Sequence, residues 1–260
     1  MTASLGVVIP AYEPDLDALR SYVADIRARL DPAVIRIEVD EPSRSTLTAL
    51  DHLTAEYDAD YNAVDQRRGK GGAITEGFDG LSTEILAFAD ADGSVPASSL
   101  ADIVSDVRHG AADVSIGSRR HPDARIVDHQ TVGRRLLGDG FALAARRLLP
   151  TACYDYQCGA KALQAEAWAE IGHHCYESGF AWDLEFISVA GALGYRITEV
   201  PVEWEDHPQT TVDPLSTSIE LARALFDVRR RAHAIAASPR YRHVQPTDGS
   251  TLTYTGADGD

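Results

Sequence analysis

Short β-branched runs alternate with stretches of helical period through the first 117 residues, and this alternation constrains the chain more than any other feature. Strands separated by helices cannot pair as hairpins, so they build a mostly parallel sheet covered by helices. Strands are predicted at Leu5 to Ile9, Val34 to Val39, Tyr61 to Val64, Ile85 to Ala89 and Val114 to Ile116. Helices are predicted between them at about Leu16 to Leu30, Thr46 to Glu56, Ala73 to Phe78 and Ser98 to Val107. The first follows Pro14-Asp15 and carries Leu16, Leu19, Val23, Ile26 and Leu30 at helical spacing.

After about Gly117 the pattern changes. An amphipathic stretch from Val132 to Leu149 precedes a CGAKAL strand, helices near Ala165 to Ile171 and Trp182 to Leu193, the strand YRITEVPVEW and a last helix from Leu215 to Ala236. The expectation is a single α/β domain over residues 1–237, an open and mostly parallel sheet flanked by helices. Residues 238–260 are polar, rich in Gly and Asp and without periodicity, which predicts a flexible tail.

With 260 residues, 44% of them hydrophobic, the chain can bury one substantial core. Its net charge of −16 argues against nucleic acid as a partner, since non-specific binding there needs a basic face. Of its 24 basic residues two are lysines, Lys70 and Lys161, and 26 of its 40 acids are Asp. Such a surface suits solvation at high salt, and GC-rich codon usage explains it equally well. Cys153, Cys158 and Cys175 fit neither a disulfide framework nor a metal pair, so reduced thiols in the cytoplasm are expected. The apolar stretch Leu5 to Ile9 is too short for a signal-peptide core, and Leu136 to Leu149 is interrupted by Asp139 and Arg146-Arg147. A soluble or peripheral protein is therefore expected.

The segment ILAFADADGS ends an apolar strand in two carboxylates, Asp90 and Asp92. If both continue the strand they share one face at its carboxyl end, the edge where open α/β sheets bind ligands. Carboxylates so placed repel unless a cation lies between them, and Mg²⁺ or Mn²⁺ bridging to substrate phosphates resolves this. The same string also occurs in acidic loops and at helix N-caps. Neighbouring strands deliver Asp40 and Pro10-Ala11-Tyr12-Glu13 to the same rim, and the third leads into Arg67-Arg68-Gly69-Lys70-Gly71-Gly72, a basic turn opening a helix. Its N–H groups and lysine suit an anion, although the Walker spacing is absent. Together these segments describe a nucleotide-diphosphate site with a metal.

The motifs VVIPAYEP, VDEPS, RRGKGGAITEGF, ADADGS, IGSRR, DYQCGAKAL and GFAWDLEF…LGYRITEVPVEWEDHP resemble, in order and spacing, family 2 inverting glycosyltransferases of the GT-A fold, in their polyprenyl- and dolichyl-phosphate hexosyltransferase branch. The resemblance spans about Leu5 to Thr211. It implies that residues 1–117 form a nucleotide-binding half and 118–237 an acceptor-binding half. Pro10, Tyr12, Glu13 and Asp40 would hold the nucleoside of a UDP- or GDP-hexose, with Lys70 and Gly71 beside it. Asp90, Ala91 and Asp92 would match the metal and diphosphate motif, with Ser94 as a further metal ligand. Arg119 and Arg134 or Arg135 would grip the acceptor phosphate, and Asp92 with these arginines would carry the catalysis. Asp155, Gln157 and Lys161, together with Trp182, Asp183 and His207, would line the sugar or acceptor. Two motifs depart from the family: Glu41-Pro42 stands for Asp-Gly, and the late DHPQTTV segment lacks the family's lysine.

A lipid monophosphate is already anionic at neutral pH, its second pKa being near ~6, so no general base is needed. The work of such a site is to bring two anions together. Arg134, Arg135, Arg146, Arg147, Arg223 and Arg229 to Arg231 would form a basic, partly apolar surface at the cytosolic face of the membrane. A transferase using a small phosphorylated acceptor is the alternative within catalysis. A lapsed domain that binds nucleotide or lipid phosphate without turnover is the other alternative.

Overall fold

The computed structural model of the chain describes residues 3–126, 132–205 and 214–238. Strands β1 (Leu5–Tyr12), β2 (Val34–Asp40), β3 (Asp60–Val64), β4 (Ile85–Ala89) and β5 (Val114–Ser118) alternate with helices α1 (Leu16–Leu30), α2 (Arg44–Tyr57), α3 (Lys70–Asp79) and α4 (Ala97–Arg108). All nine predicted segments form, several one to three residues longer than expected. The remainder comprises β6 (Arg125–Ile126), α5 (Val132–Leu148), β7 (Ala160–Gln164), α6 (Ala165–Ile171), α7 (Trp182–Leu193), β8 (Ile197–Pro201), β9 (Glu203–Trp204) and α8 (Pro214–Ala237). The strand expected over YRITEVPVEW breaks at Val202, whose N–H donates to Ser118 O at 3.3 Å, and its end pairs with β6 instead.

The main sheet runs β3-β2-β1-β4-β7-β5-β8. Its pairs are parallel except at β7, which lies antiparallel between β4 and β5 with Lys161 opposite Phe88 and Ile116. Alternation within the strands divides the core. Ile85, Ala87 and Ala89 of β4 face α1, α2 and α4, packing with Leu19, Val23, Leu50 and Leu100, whereas Leu86 and Phe88 face α3, α6, α7 and α8. Both faces of the sheet are thus covered, as parallel sheets require.

Local signals fix the helix ends. The Asp15 side chain accepts from the Asp17 and Ala18 N–H groups to start α1, and Ser43 Oγ accepts from Thr46 N–H at 3.1 Å to start α2. The Glu41-Pro42 departure leaves this turn intact: Glu41 takes a left-handed φ of 50° and its N–H donates to Val64 O at 2.8 Å. Residues 239–260, expected to be a tail, lie outside the described residues.

Candidate functional site

The carboxyl ends of β1, β2 and β4 and the amino end of α3 converge on one rim. β4 closes at Ala89, and Asp90 to Gly93 turn away, with the Gly93 N–H donating to Asp90 O at 3.3 Å. The two aspartates therefore do not continue the strand, as the shared-face expectation required. The Asp90 carboxylate, 38% exposed, faces the Lys70 ammonium at 3.0 Å, while Asp92 is exposed and its Oδ1 accepts the N–H of the buried Ser94 at 3.0 Å. Burial pushes the Asp90 carboxyl up against the pull of Lys70, and Asp92 and Asp183 add to the rise.

Beneath this rim the charges alternate. Lys70 Nζ also lies 3.0 Å from Asp183 Oδ2, and Asp183 Oδ1 pairs with Lys161 Nζ, which donates to Cys158 O at 2.8 Å. Lys161 and Asp183 are each 1% exposed by side chain. Burial alone would raise the Asp183 carboxyl, but the two lysines hold it below its ordinary value. Trp182 is wholly buried, stacked on Phe186 at 5.0 Å, and its Nε1 donates to Thr75 Oγ1 at 3.0 Å. Lys161, Asp183 and Trp182, expected along the sugar or acceptor, thus form the floor of the site. Gly71 is required by that floor, since a Cβ there would meet Trp182 Cβ at 2.4 Å and Glu177 O at 2.8 Å.

Asp40, expected at the nucleoside, is 3% exposed and is occupied by the basic turn. Its oxygens accept from Arg68 Nε at 2.8 Å, Arg68 N–H at 2.8 Å and Gly69 N–H at 3.0 Å. Arg68 also reaches the buried Glu38 at 2.6 Å and Glu76 at 2.9 Å. On the outer side the Arg67 guanidinium lies 3.8 Å above the Tyr12 ring, and the exposed Glu13 has a left-handed φ of 46°. Pro10 lies half-buried one strand position inward.

On the acceptor side, Asp155 is fully buried and gripped by Arg119 through Nε at 2.7 Å and Nη2 at 2.9 Å, with Arg120 at 3.4 Å. Burial pushes the Asp155 carboxyl up, but Arg119 and Arg120 more than reverse this and hold it well below the usual carboxylate range. The Gln157 amide donates to Phe180 O at 3.1 Å. Burial also raises the Cys158 thiol, to about 12, which makes it inert. Gly159 leaves room for the rim, since a Cβ there would strike Asp90 Oδ2 at 1.9 Å. Arg134 and Arg135 fall in the first turn of α5, with side chains outside the described residues, as is His207 altogether.

The sequence assigned no role to Glu38 or Glu199, and it placed Arg231 on the basic surface. The buried Glu185 accepts from the Tyr176 and Glu177 N–H groups and meets Arg231 at 2.7 Å, and Glu199 accepts from the Tyr154 and Asp155 N–H groups. The signal at Glu199 was a lone carboxylate inside the strand ITEVP, which demands a partner. Arg231 is thereby removed from the basic surface expected at the end of α8.

Among the described residues no three His, Cys, Asp or Glu side chains gather to hold a metal by themselves. One exposed carboxylate, Asp92, beside the half-open Asp90 instead fits Mg²⁺ or Mn²⁺ bound mainly through water and substrate phosphates.

The sequence profile of glycosyl transferase family 2 matches residues 6–171. The chain belongs to glycosyl transferase family 2. Glycosyltransferase AglD of Haloferax volcanii is 30% identical to this family member over 216 residues, 80% of this chain and 34% of AglD. The dolichyl-phosphate beta-glucosyltransferase of Dictyostelium discoideum is 26% identical over 242 residues, 87% of this chain and 74% of that protein. The chain thus spans about a third of AglD and about three quarters of the second relative. Among solved structures, glucosyl-3-phosphoglycerate synthase from Mycobacterium tuberculosis, in complex with Mn²⁺, UDP-glucose and phosphoglyceric acid, matches with a TM-score of 0.65 at 15% identity, covering 88% of this chain and 80% of that one. That likeness establishes the shared GT-A fold.

Proposed function

We propose that this family 2 member transfers a hexose from a UDP- or GDP-sugar to a polyprenyl phosphate such as dolichyl phosphate, with inversion at the anomeric carbon. The observation that carries the reading is the rim itself, where the exposed Asp92, the half-open Asp90 and the Lys70 ammonium meet at the carboxyl end of β4. Relatives that bear the name dolichyl-phosphate beta-glucosyltransferase support the acceptor class.

The donor's diphosphate lies over the amino end of α3, where the positive end of the helix and Lys70 offset its charge. Pro10, Tyr12 and Glu13 border the nucleoside, and Asp40 shapes that border by holding the Arg68-Gly69 turn. Asp92 and Asp90, with the Ser94 turn behind them, would hold Mg²⁺ or Mn²⁺, which stabilises charge on the departing diphosphate. Arg119 and Arg120, backed by Asp155, face the acceptor phosphate beside Gln157, and Arg134 or Arg135 is assigned to the same phosphate from the family motif alone. A phosphate oxygen bonds to the anomeric carbon as the bond to the donor diphosphate breaks, and that electron pair leaves on the nucleoside diphosphate. The acceptor carries its charge into the site, so no side chain has to remove a proton.

Among the described residues no helix is long and apolar enough to cross a membrane, so a polyprenyl acceptor must be met at a membrane surface. Leu143 of α5 and Phe226 of α8, 51% and 64% exposed, with Arg146, Arg147, Arg229 and Arg230, suit contact with an anionic leaflet at the cytosolic face. Incubation with radiolabelled UDP- and GDP-hexoses, Mn²⁺ and either dolichyl phosphate or a water-soluble phosphate tests the reading. Lipid-dependent transfer is expected. Transfer to the soluble phosphate alone would replace the lipid acceptor, and nucleotide binding without turnover would replace catalysis.

A further inference from the structure

The chain holds two lysines among 24 basic residues, and both reach the same buried carboxylate. Lys70 opens α3, Lys161 is the second residue of β7, and Asp183 lies in the first turn of α7, so three separate elements bring them together. The Phe88 ring is shared by the two ammonium groups, its centroid 5.3 Å from Lys70 Nζ and 5.2 Å from Lys161 Nζ. From the core outward the charges run Lys161, Asp183, Lys70, Asp90, each opposite to its neighbour.

A planar arginine fork suits one bidentate partner, as Arg119 does with Asp155. A compact ammonium can stand between two carboxylates that approach from opposite sides. That geometry is the one Lys70 adopts between Asp183 and Asp90, while the Lys161 ammonium is shared by Asp183 and Cys158 O. Asp183 is 1% exposed by side chain, with one oxygen paired to Lys70 and the other to Lys161, so it presents no open surface to a substrate.

We propose that Asp183 and Lys161 are positioning residues that act through Lys70, the buried Lys161–Asp183 pair aiming the Lys70 ammonium at the Asp90 carboxylate on the rim. Without that anchor the four-carbon stem of Lys70 is free to swing, and Asp90 loses its counter-charge. The placement of Lys70 stands on the contacts alone. Its consequence for the donor diphosphate rests on the function proposed above.

Selective ¹³C,¹⁵N-lysine labelling of the full chain reads the anchor directly, because it gives two side-chain ammonium signals. Asp183→Asn should move the Lys70 signal and raise acylation of Lys70 by a soluble N-hydroxysuccinimide ester about tenfold, since one charge-assisted contact is lost. Peptide mass spectrometry measures the acylation, and circular dichroism checks the fold. The paired change Lys161→Met/Asp183→Leu replaces the buried ion pair with apolar groups, and it serves if Asp183→Asn does not fold. Calorimetry with UDP, GDP and Mn²⁺ supplies a second reading: Asp183→Asn should weaken nucleotide binding in the wild-type background and have no further effect once Lys70→Met is present. A folded Asp183 variant whose Lys70 signal and acylation match wild type overturns the proposal. If Lys70 responds as expected while wild type binds neither nucleotide, the donor reading fails and the positioning role stands.

Discussion

Asp40 and Asp90 end or follow strands on either side of β1, and they are the same residue type at the same edge of the sheet. Asp40 is 3% exposed and filled by three N–H donors of the Arg68-Gly69 turn, whereas Asp90 is half-open and faces one flexible ammonium. A carboxylate saturated by backbone N–H groups holds the backbone in place, and exchanging those partners for a ligand would strand the donors. A carboxylate facing a single lysine can accept a new cation without unpicking the chain. Asp155 and Asp92 repeat the contrast: Asp155 is saturated by Arg119, Arg120 and N–H groups, and Asp92 is exposed.

Saturated carboxylates should act on stability and open ones on chemistry. The largest effect is expected at Asp155. Asp155→Asn removes the buried charge that grips Arg119 and should cost about 3–5 kcal/mol in urea unfolding. The Asp155 carboxyl is held below its unfolded value of ~3.9, so its stabilisation is complete above that value and fades as pH falls toward the folded one. Wild-type stability should therefore decline below about pH 4, with a flatter profile in the variant over the same range.

Asp92→Asn should do the reverse: transfer falls about 10²–10³-fold while the unfolding free energy stays within ~0.5 kcal/mol of wild type. Retained Mn²⁺-dependent turnover would remove Asp92 from the site. Asp40→Asn is expected to lie between these extremes, losing about 1.5–3 kcal/mol of stability, with nucleotide affinity falling only in proportion. A loss of nucleotide affinity at unchanged stability would break the comparison, because Asp40 would then be a ligand-facing group. The smallest effect belongs to the membrane surface. Arg229→Gln should weaken binding to anionic vesicles in flotation by about 1 kcal/mol, and leave transfer to a detergent-dispersed acceptor unchanged.

The nine elements from β1 to β5 were legible in the sequence because each rests on local periodicity and caps such as Asp15 and Ser43. The rim was legible too, since polar residues gather where apolar runs stop, at Asp40, Asp90 and the Gly69-Lys70 turn. Glu199 was present as a lone charge in the strand ITEVP and Glu185 beside Asp183 at the start of α7, but nothing local named their partners.

The sequence by itself therefore determined the α/β class, the edge of the sheet that carries the site and the residue types found there, all of which follow from the order of short-range patterns. The tertiary structure decided which of those charges are open. It inserted β7 antiparallel between β4 and β5, and this carried Lys161 to Asp183 and Gly159 against Asp90. It also turned Arg231 inward to Glu185. The physical reason is that periodicity records which face of an element is buried, while the state of a carboxylate depends on charges that distant elements bring within about 3 Å.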